Sequence, residues 1–276
     1  MKKRIKTKNK SNNIKTKIIL SIIFFILVTC LIFLGFKIIN TYKNKSDFEQ
    51  SVISFSEKNE NVIFSVEEIT LFSSADSKNK TSSKNHFTIE NLYQYTDIAF
   101  FIKSSEELKT EKNTLKNLYI DNINIENTES GIPNIYFKPL NEFTKSTIIE
   151  ENKIEDRLDF EITSSDENKL LSPVLYNNLA NPITLSYINQ NIKTDYTLTD
   201  TSIPITYNGM LLERCQIPLS SITPKISFDV HIINNLDEEY MTSIYIDIPL
   251  ENESNSIYKG NIQSKLTTNY VFYRHK

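Results

Sequence analysis

The chain has 276 residues and a formal net charge of −3, from 31 basic and 34 acidic side chains. Beyond residue 45 there are 20 basic and 34 acidic residues, a net charge near −14. Such a charge argues against a surface that binds nucleic acid or anionic lipid. The richness in Ile, Lys and Asn indicates an AT-rich genome, typical of a low-GC bacterium.

The N-terminus has the pattern of a membrane anchor. Eight basic residues and no acid lie in residues 1–17, and an uncharged run of nineteen residues then extends from Ile18 to Phe36. As a helix this run spans about 30 Å, the thickness of a bilayer's hydrocarbon core. Because Lys and Arg concentrate on the cytoplasmic side, the pattern predicts a cytoplasmic tail at 1–17 and a transmembrane helix at 18–39. A linker or short helix at 40–60 and an extracytoplasmic β-sandwich region at 61–276 follow.

Three other interpretations of the apolar run are less favoured. A cleaved signal peptide has a shorter apolar stretch and a small-x-small cleavage site, which residues 37–42 do not offer. Lipidation of Cys30 would use Leu27-Val28-Thr29, but the apolar run continues for six residues beyond Cys30. Flanking lysines disfavour a buried helix of a soluble protein.

The rest of the chain is mostly β in pattern. A capping-box sequence at 46–49 predicts a short helix, after which apolar residues alternate with polar ones. Alternation of period two is typical of strands with one buried face, and many short strands without helices indicate an antiparallel β-sandwich. The alternating runs are 62–66, 98–102, 158–162, 226–232 and 244–248, and further strands are predicted near 118–126, 133–138, 183–190, 203–207 and 266–274. Residues 226–248 should form a hairpin.

Polar composition predicts a mobile loop from Ser73 to Asn85 and a surface loop or short helix from Glu106 to Lys116. A weak repeat, in which residues 98–127 resemble residues 226–252, leaves open two tandem sandwich modules divided near 145–152.

Few residues in the sequence indicate a catalytic or metal-binding site. The histidines, His86, His231 and His275, are far apart in sequence, and His231 lies on the polar face of a strand, where we expect a solvated side chain. Without cysteine pairs or an H-E-x-x-H pattern, no metal ligand, cofactor-binding residue or catalytic residue is predicted. The three glycines beyond residue 100 form no phosphate-binding loop.

Cys215 is the only cysteine beyond the apolar run, so no disulfide is expected within the β region. An anchored β-domain with a lone Cys, a His and an Arg is similar to the sortase transpeptidases. That resemblance would make Cys215 a nucleophile, with a His handling the proton and an Arg stabilising the oxyanion. Cys215 follows Leu-Leu-Glu-Arg rather than the family's T-L-x-T, and no Arg follows until Arg274.

The expected function is therefore non-enzymatic: protein–protein interaction or envelope assembly, by a single-pass membrane protein whose C-terminal region lies outside the cytoplasm. A protein partner or a homo-oligomer is expected, with no nucleic acid. The alternatives are a ligand-binding or sensing domain that acts through a partner, and a sortase-like transpeptidase.

Overall fold

The computed structural model describes the β region with gaps, at residues 62–83, 86–104, 111–126, 128–164, 172–177, 179–193, 196–198, 206–222, 224–248 and 261–275, together with scattered positions between 17 and 43. The chain divides into two compact units, Met1–Ser56 and Glu57–Lys276.

In the first unit every described position is helical, and the Thr29 hydroxyl donates to the backbone oxygens of Phe25 and Ile26. Among the described residues, no helix is both long and apolar enough to span a bilayer. The predicted transmembrane helix at 18–39 and the predicted linker or short helix at 40–60 both lie partly outside the described residues. Both stay predictions.

The second unit contains two sheets, as the alternation predicts. Sheet A has seven strands, in the order β12 (Ile262–Val271), β1 (Phe64–Ser83), β2 (His86–Phe100), β8 (Ile183–Lys193) and β5 (Ile132–Phe137), with β3 (Lys103–Ser104) on β1 and β9 (Tyr196–Leu198) on β2. Sheet B has six strands, in the order β13 (Tyr273–Arg274), β11 (Glu239–Asp247), β10 (Lys225–Asn234), β4 (Leu115–Ile125), β6 (Leu158–Thr163) and β7 (Val174–Tyr176). All pairs are antiparallel except β6 with β7.

The main core lies between the two sheets. Alternate residues of each strand point inward, so that Phe100 of sheet A stacks on Phe228 of sheet B with ring centroids 6.2 Å apart. Phe137 and Phe160 make a second contact between the sheets, edge to face at 6.3 Å. Each buried aromatic ring removes a large apolar area from water, so these pairs contribute strongly to the sandwich.

A second core cluster lies under the far end of sheet A. The short helix α1 (Met210–Arg214) places Leu211 and Leu212 against Ala75 and Leu92. The other helical segments described in this unit are 3-10 turns at Glu111–Asn113, Leu140–Glu142, Glu150–Asn152 and Leu219–Ser221.

The predicted loop from Ser73 to Asn85 is wrong for Ser73–Ser83, which continue β1. The Ser73 hydroxyl lies 2.8 Å from that of Thr96, and the Ser77 hydroxyl donates to the Glu90 carbonyl. Polar side chains satisfied in this way are tolerated in a buried strand.

The other strand predictions are mostly confirmed. The hairpin pairs Ile226 with Ile246 and Phe228 with Ile244. Near 203–207, residues 203–205 lie outside the described residues, and Thr206 and Tyr207 are not in a strand. Within 106–116, residues 106–110 are also outside them, whereas 111–113 form a 3-10 turn and β4 begins at 115. The strands of the second unit do not form two tandem modules. Strand β2 pairs with β8 and β4 pairs with β10, so each sheet contains strands from both halves of the chain.

Candidate functional site

The outer face of sheet B brings together polar residues that are far apart in sequence. In β10 the even positions from 226 to 232 point into the core, so Asp229 and His231 point outward. Strand pairing places Asp121 opposite Asp229 and Tyr119 opposite His231. The site therefore depends on the register of β4 against β10.

His231 lies between two carboxylates. Its Nδ1 is 3.1 Å from Oε1 of Glu239, and its Nε2 is 3.1 Å from Oδ1 of Asp121. The residue is only 7% exposed. The expectation of a solvated side chain is wrong, because large side chains on the neighbouring strands shield this residue from water even though it lies on the polar face of its strand. The D-x-H spacing of Asp229 and His231 is the sequence signal that could have indicated a site.

Aromatic stacking fixes the orientation of the imidazole. The rings of His231 and Tyr119 are nearly parallel, with centroids 4.4 Å apart, and the Arg157 guanidinium carbon lies 3.6 Å over the other face of Tyr119. Tyr119 donates to Glu239 across 2.8 Å. Burial, followed by this contact with Glu239, raises the pKa of Tyr119 to about 12, so the hydroxyl stays protonated as a donor.

Asp229 lies near His231 and is held by hydrogen bonds from both neighbouring strands. Asn122 Nδ2 donates to one of its carboxylate oxygens across 2.8 Å, and the Ser243 hydroxyl donates to the other. One potential ligand atom each from Asp121, Asp229 and His231 lies within 4.8 Å of the others. In the part of the chain that the structure describes, these are the residues grouped closely enough to hold a metal ion.

Cys215 does not have the surroundings of a nucleophile. It is fully buried at the end of α1, and burial raises the pKa of its thiol to about 11. A reactive cysteine needs an accessible thiolate, and burial in apolar surroundings works against it. The His86 side chain lies outside the described residues.

Part of the outer face of sheet A is covered. Residues 139–149, here named the strap, cross it above an aromatic cluster that includes Tyr93 and Tyr95. Tyr93 donates to the Ser146 carbonyl across 2.7 Å, and Ile148 packs on the cluster. The strap therefore removes much of this face from contact with a partner.

A buried ion pair holds the strap. Asp97 accepts from the Thr144 backbone amide across 2.7 Å and from the Ser186 hydroxyl across 2.6 Å. The Lys138 ammonium lies 3.7 Å from Asp97 and donates to the carbonyls of Lys145 and Thr147.

An open groove of about 610 Å³ lies elsewhere on sheet A, between β1, β3 and β12. Its acidic residues are paired, Glu67 with Lys103 and Glu68 with Lys265. Phe101, 50% exposed, is its main apolar feature.

The fold and these faces define a two-sheet β-sandwich with one strapped face and one open acidic face. Comparison with protein-family models, curated proteins and solved structures gives no match for the chain.

Proposed function

We propose that this chain is a membrane-tethered, extracytoplasmic β-sandwich that binds a protein partner and catalyses no reaction. The tether is the apolar run at 18–36 with its basic flank. The binding region is the acidic face, defined as the outward carboxylates of sheet B: Asp121, Asp159, Glu161, Asp229, Glu239 and Asp247.

The observation that carries the proposal is the contrast between the two outer faces. Sheet A is crossed by the strap, whereas Asp159, Glu161 and Asp247 on sheet B are exposed. Complementary charge steers association and selects partners, so a basic protein surface is the partner that suits this face. The buried thiol of Cys215 supports the absence of catalysis.

The binding test compares two matched pairs of charge reversals. Asp159→Lys with Glu161→Lys alters the acidic face on β6, and Glu67→Lys with Glu68→Lys alters adjacent exposed residues on β1. In cross-linked membranes, we expect the β6 pair to lower recovery of a specific partner at least tenfold and the β1 pair to leave it unchanged. Equal recovery with both pairs would contradict the proposal.

A ligand-binding or sensing domain is the second candidate, favoured by the groove on sheet A. The β1 pair lies in that groove. Loss of partner recovery or of signalling in the β1 pair alone would therefore favour this candidate.

Topology needs its own test, because Cys215 is buried and unsuitable as a probe. The exposed position 247 serves instead, as Asp247→Cys. A membrane-impermeant maleimide should label this variant in intact cells and leave Cys215 unlabelled until denaturation. Labelling of position 247 only after the membrane is permeabilised would refute the extracytoplasmic location.

A further inference from the structure

His231 lies between two carboxylates, and a single imidazole ring has one N–H to donate to them. A neutral ring has one N–H and one lone pair, yet both nitrogens lie 3.1 Å from carboxylate oxygens. Whichever tautomer forms, one lone pair faces an anion. Because His231 is more than nine-tenths buried, water has little access to the ring itself to screen that contact. A cation bound at one nitrogen would be shared by that lone pair and the carboxylate that it faces.

The contacts indicate which nitrogen that is. Glu239 also accepts from Tyr119, and the stack of Tyr119 on His231 keeps the ring turned so that Nδ1 faces Glu239. An Nδ1–H donated to a carboxylate is the arrangement that orients metal-binding histidines. The Nε2 lone pair then points toward Asp121, with Asp229 beside it.

We propose that Asp121, Asp229 and His231 bind one divalent transition-metal ion, best matched by zinc, through Nε2 and one oxygen from each carboxylate. This inference does not depend on the proposed partner binding. Zinc takes nitrogen and oxygen ligands at about 2.0 to 2.2 Å, which places tetrahedral ligands about 3.4 Å apart. The 3.1 Å between Nε2 and Asp121 is close to that spacing, and all three atoms lie within 4.8 Å of one another.

The donor set discriminates between ions. Calcium and magnesium prefer oxygen ligands alone, whereas an imidazole nitrogen favours zinc and its neighbours in the transition series. Three protein ligands leave a fourth position for water. Asp121 and Asp229 are both half-exposed, which gives an ion access from solvent.

Calorimetric titration of the untagged full chain in detergent, with zinc chloride and with calcium chloride, tests the site. We expect one zinc ion per chain, bound at least tenfold more tightly than calcium. Absence of zinc binding, or tighter binding of calcium, would overturn the proposal.

Substitutions of the proposed ligands test where the zinc ion binds. His231→Gln and Asp229→Asn should each weaken zinc binding at least tenfold, and Asp247→Asn, an exposed carboxylate further along the same face, should not. Circular dichroism checks that each variant is folded. Asp229→Asn keeps the buried imidazole, so it decides the matter if His231→Gln does not fold. Wild-type affinity in a folded ligand variant would overturn the assignment.

Discussion

The Asp97 carboxylate and the Lys138 ammonium lie 3.7 Å apart beneath the strap, with side-chain exposures of 0% and 4%. Burial raises the pKa of Asp97 to about 6 and lowers the pKa of Lys138, so for both groups the loss of water outweighs the attraction of the partner. The ion pair therefore contributes less to the stability of the fold than its short contact suggests. Removal of one member would nevertheless leave the other as a buried charge without a counter-charge.

Removal of the cation should destabilise the protein strongly. In Lys138→Met, Asp97 loses its counter-charge and two strap carbonyls lose their donor. We expect a fall of about 3 kcal/mol in the free energy of unfolding at pH 7, measured by urea denaturation. Lys145→Met, at an exposed lysine paired with Glu142, is the control and should change little. A Lys138→Met protein as stable as wild type would contradict the role assigned to the pair.

The raised pKa of Asp97 predicts a pH dependence. Its folded-state pKa is about 6, against about 4 in an unfolded chain, so the folded protein binds this proton more tightly. The resulting stabilisation is fully present below pH 4 and is lost as the pH rises through 6, on the order of 2 to 3 kcal/mol in all. Urea denaturation from pH 4 to 7 should show the stability advantage of wild type over Asp97→Asn shrinking with rising pH. A constant or growing advantage would be evidence against it.

Gln94 offers a stabilising substitution. Its side chain is fully buried on β2, and among the described residues neither its amide nitrogen nor its oxygen has a hydrogen-bond partner. A buried polar group without a partner costs about 1 to 3 kcal/mol, so Gln94→Met, which keeps the length, should raise the free energy of unfolding by about 1 kcal/mol. Gln94→Glu should lower it. A less stable Gln94→Met would indicate that the amide has a partner in solution.

Gly131 permits a close approach of two segments. Its φ is +90°, and a Cβ there would lie 2.0 Å from Oδ1 of Asn189. Gly131→Ala should therefore lower the free energy of unfolding by about 2 kcal/mol or more, from backbone strain and the clash together. Adding Asn189→Ala removes the clash with that side chain, but neither the backbone strain nor the 2.9 Å approach to the Gln190 carbonyl oxygen. The double variant should therefore lose less than the sum of the single losses. Strict additivity would exclude the clash as a cause.

Strand prediction succeeded where one face is apolar. Residues 226–248 alternate clearly, and the expected antiparallel hairpin forms. It failed at Ser73–Ser83, where the hydroxyl of Ser73 is satisfied by Thr96, 23 residues away. Local polarity cannot reveal a partner that distant.

The sequence by itself determined the two-sheet β character, through its period of two, and the candidate tether, through length and charge. The tertiary structure decided what covers each face. His231 stands on a polar face by its period, yet Asp121, 110 residues away, and Glu239 from the neighbouring strand enclose it. The period of the apolar pattern specifies the side of a sheet to which a residue points, whereas strand order and register specify which residues are its neighbours. Those two properties arise from packing across the whole chain.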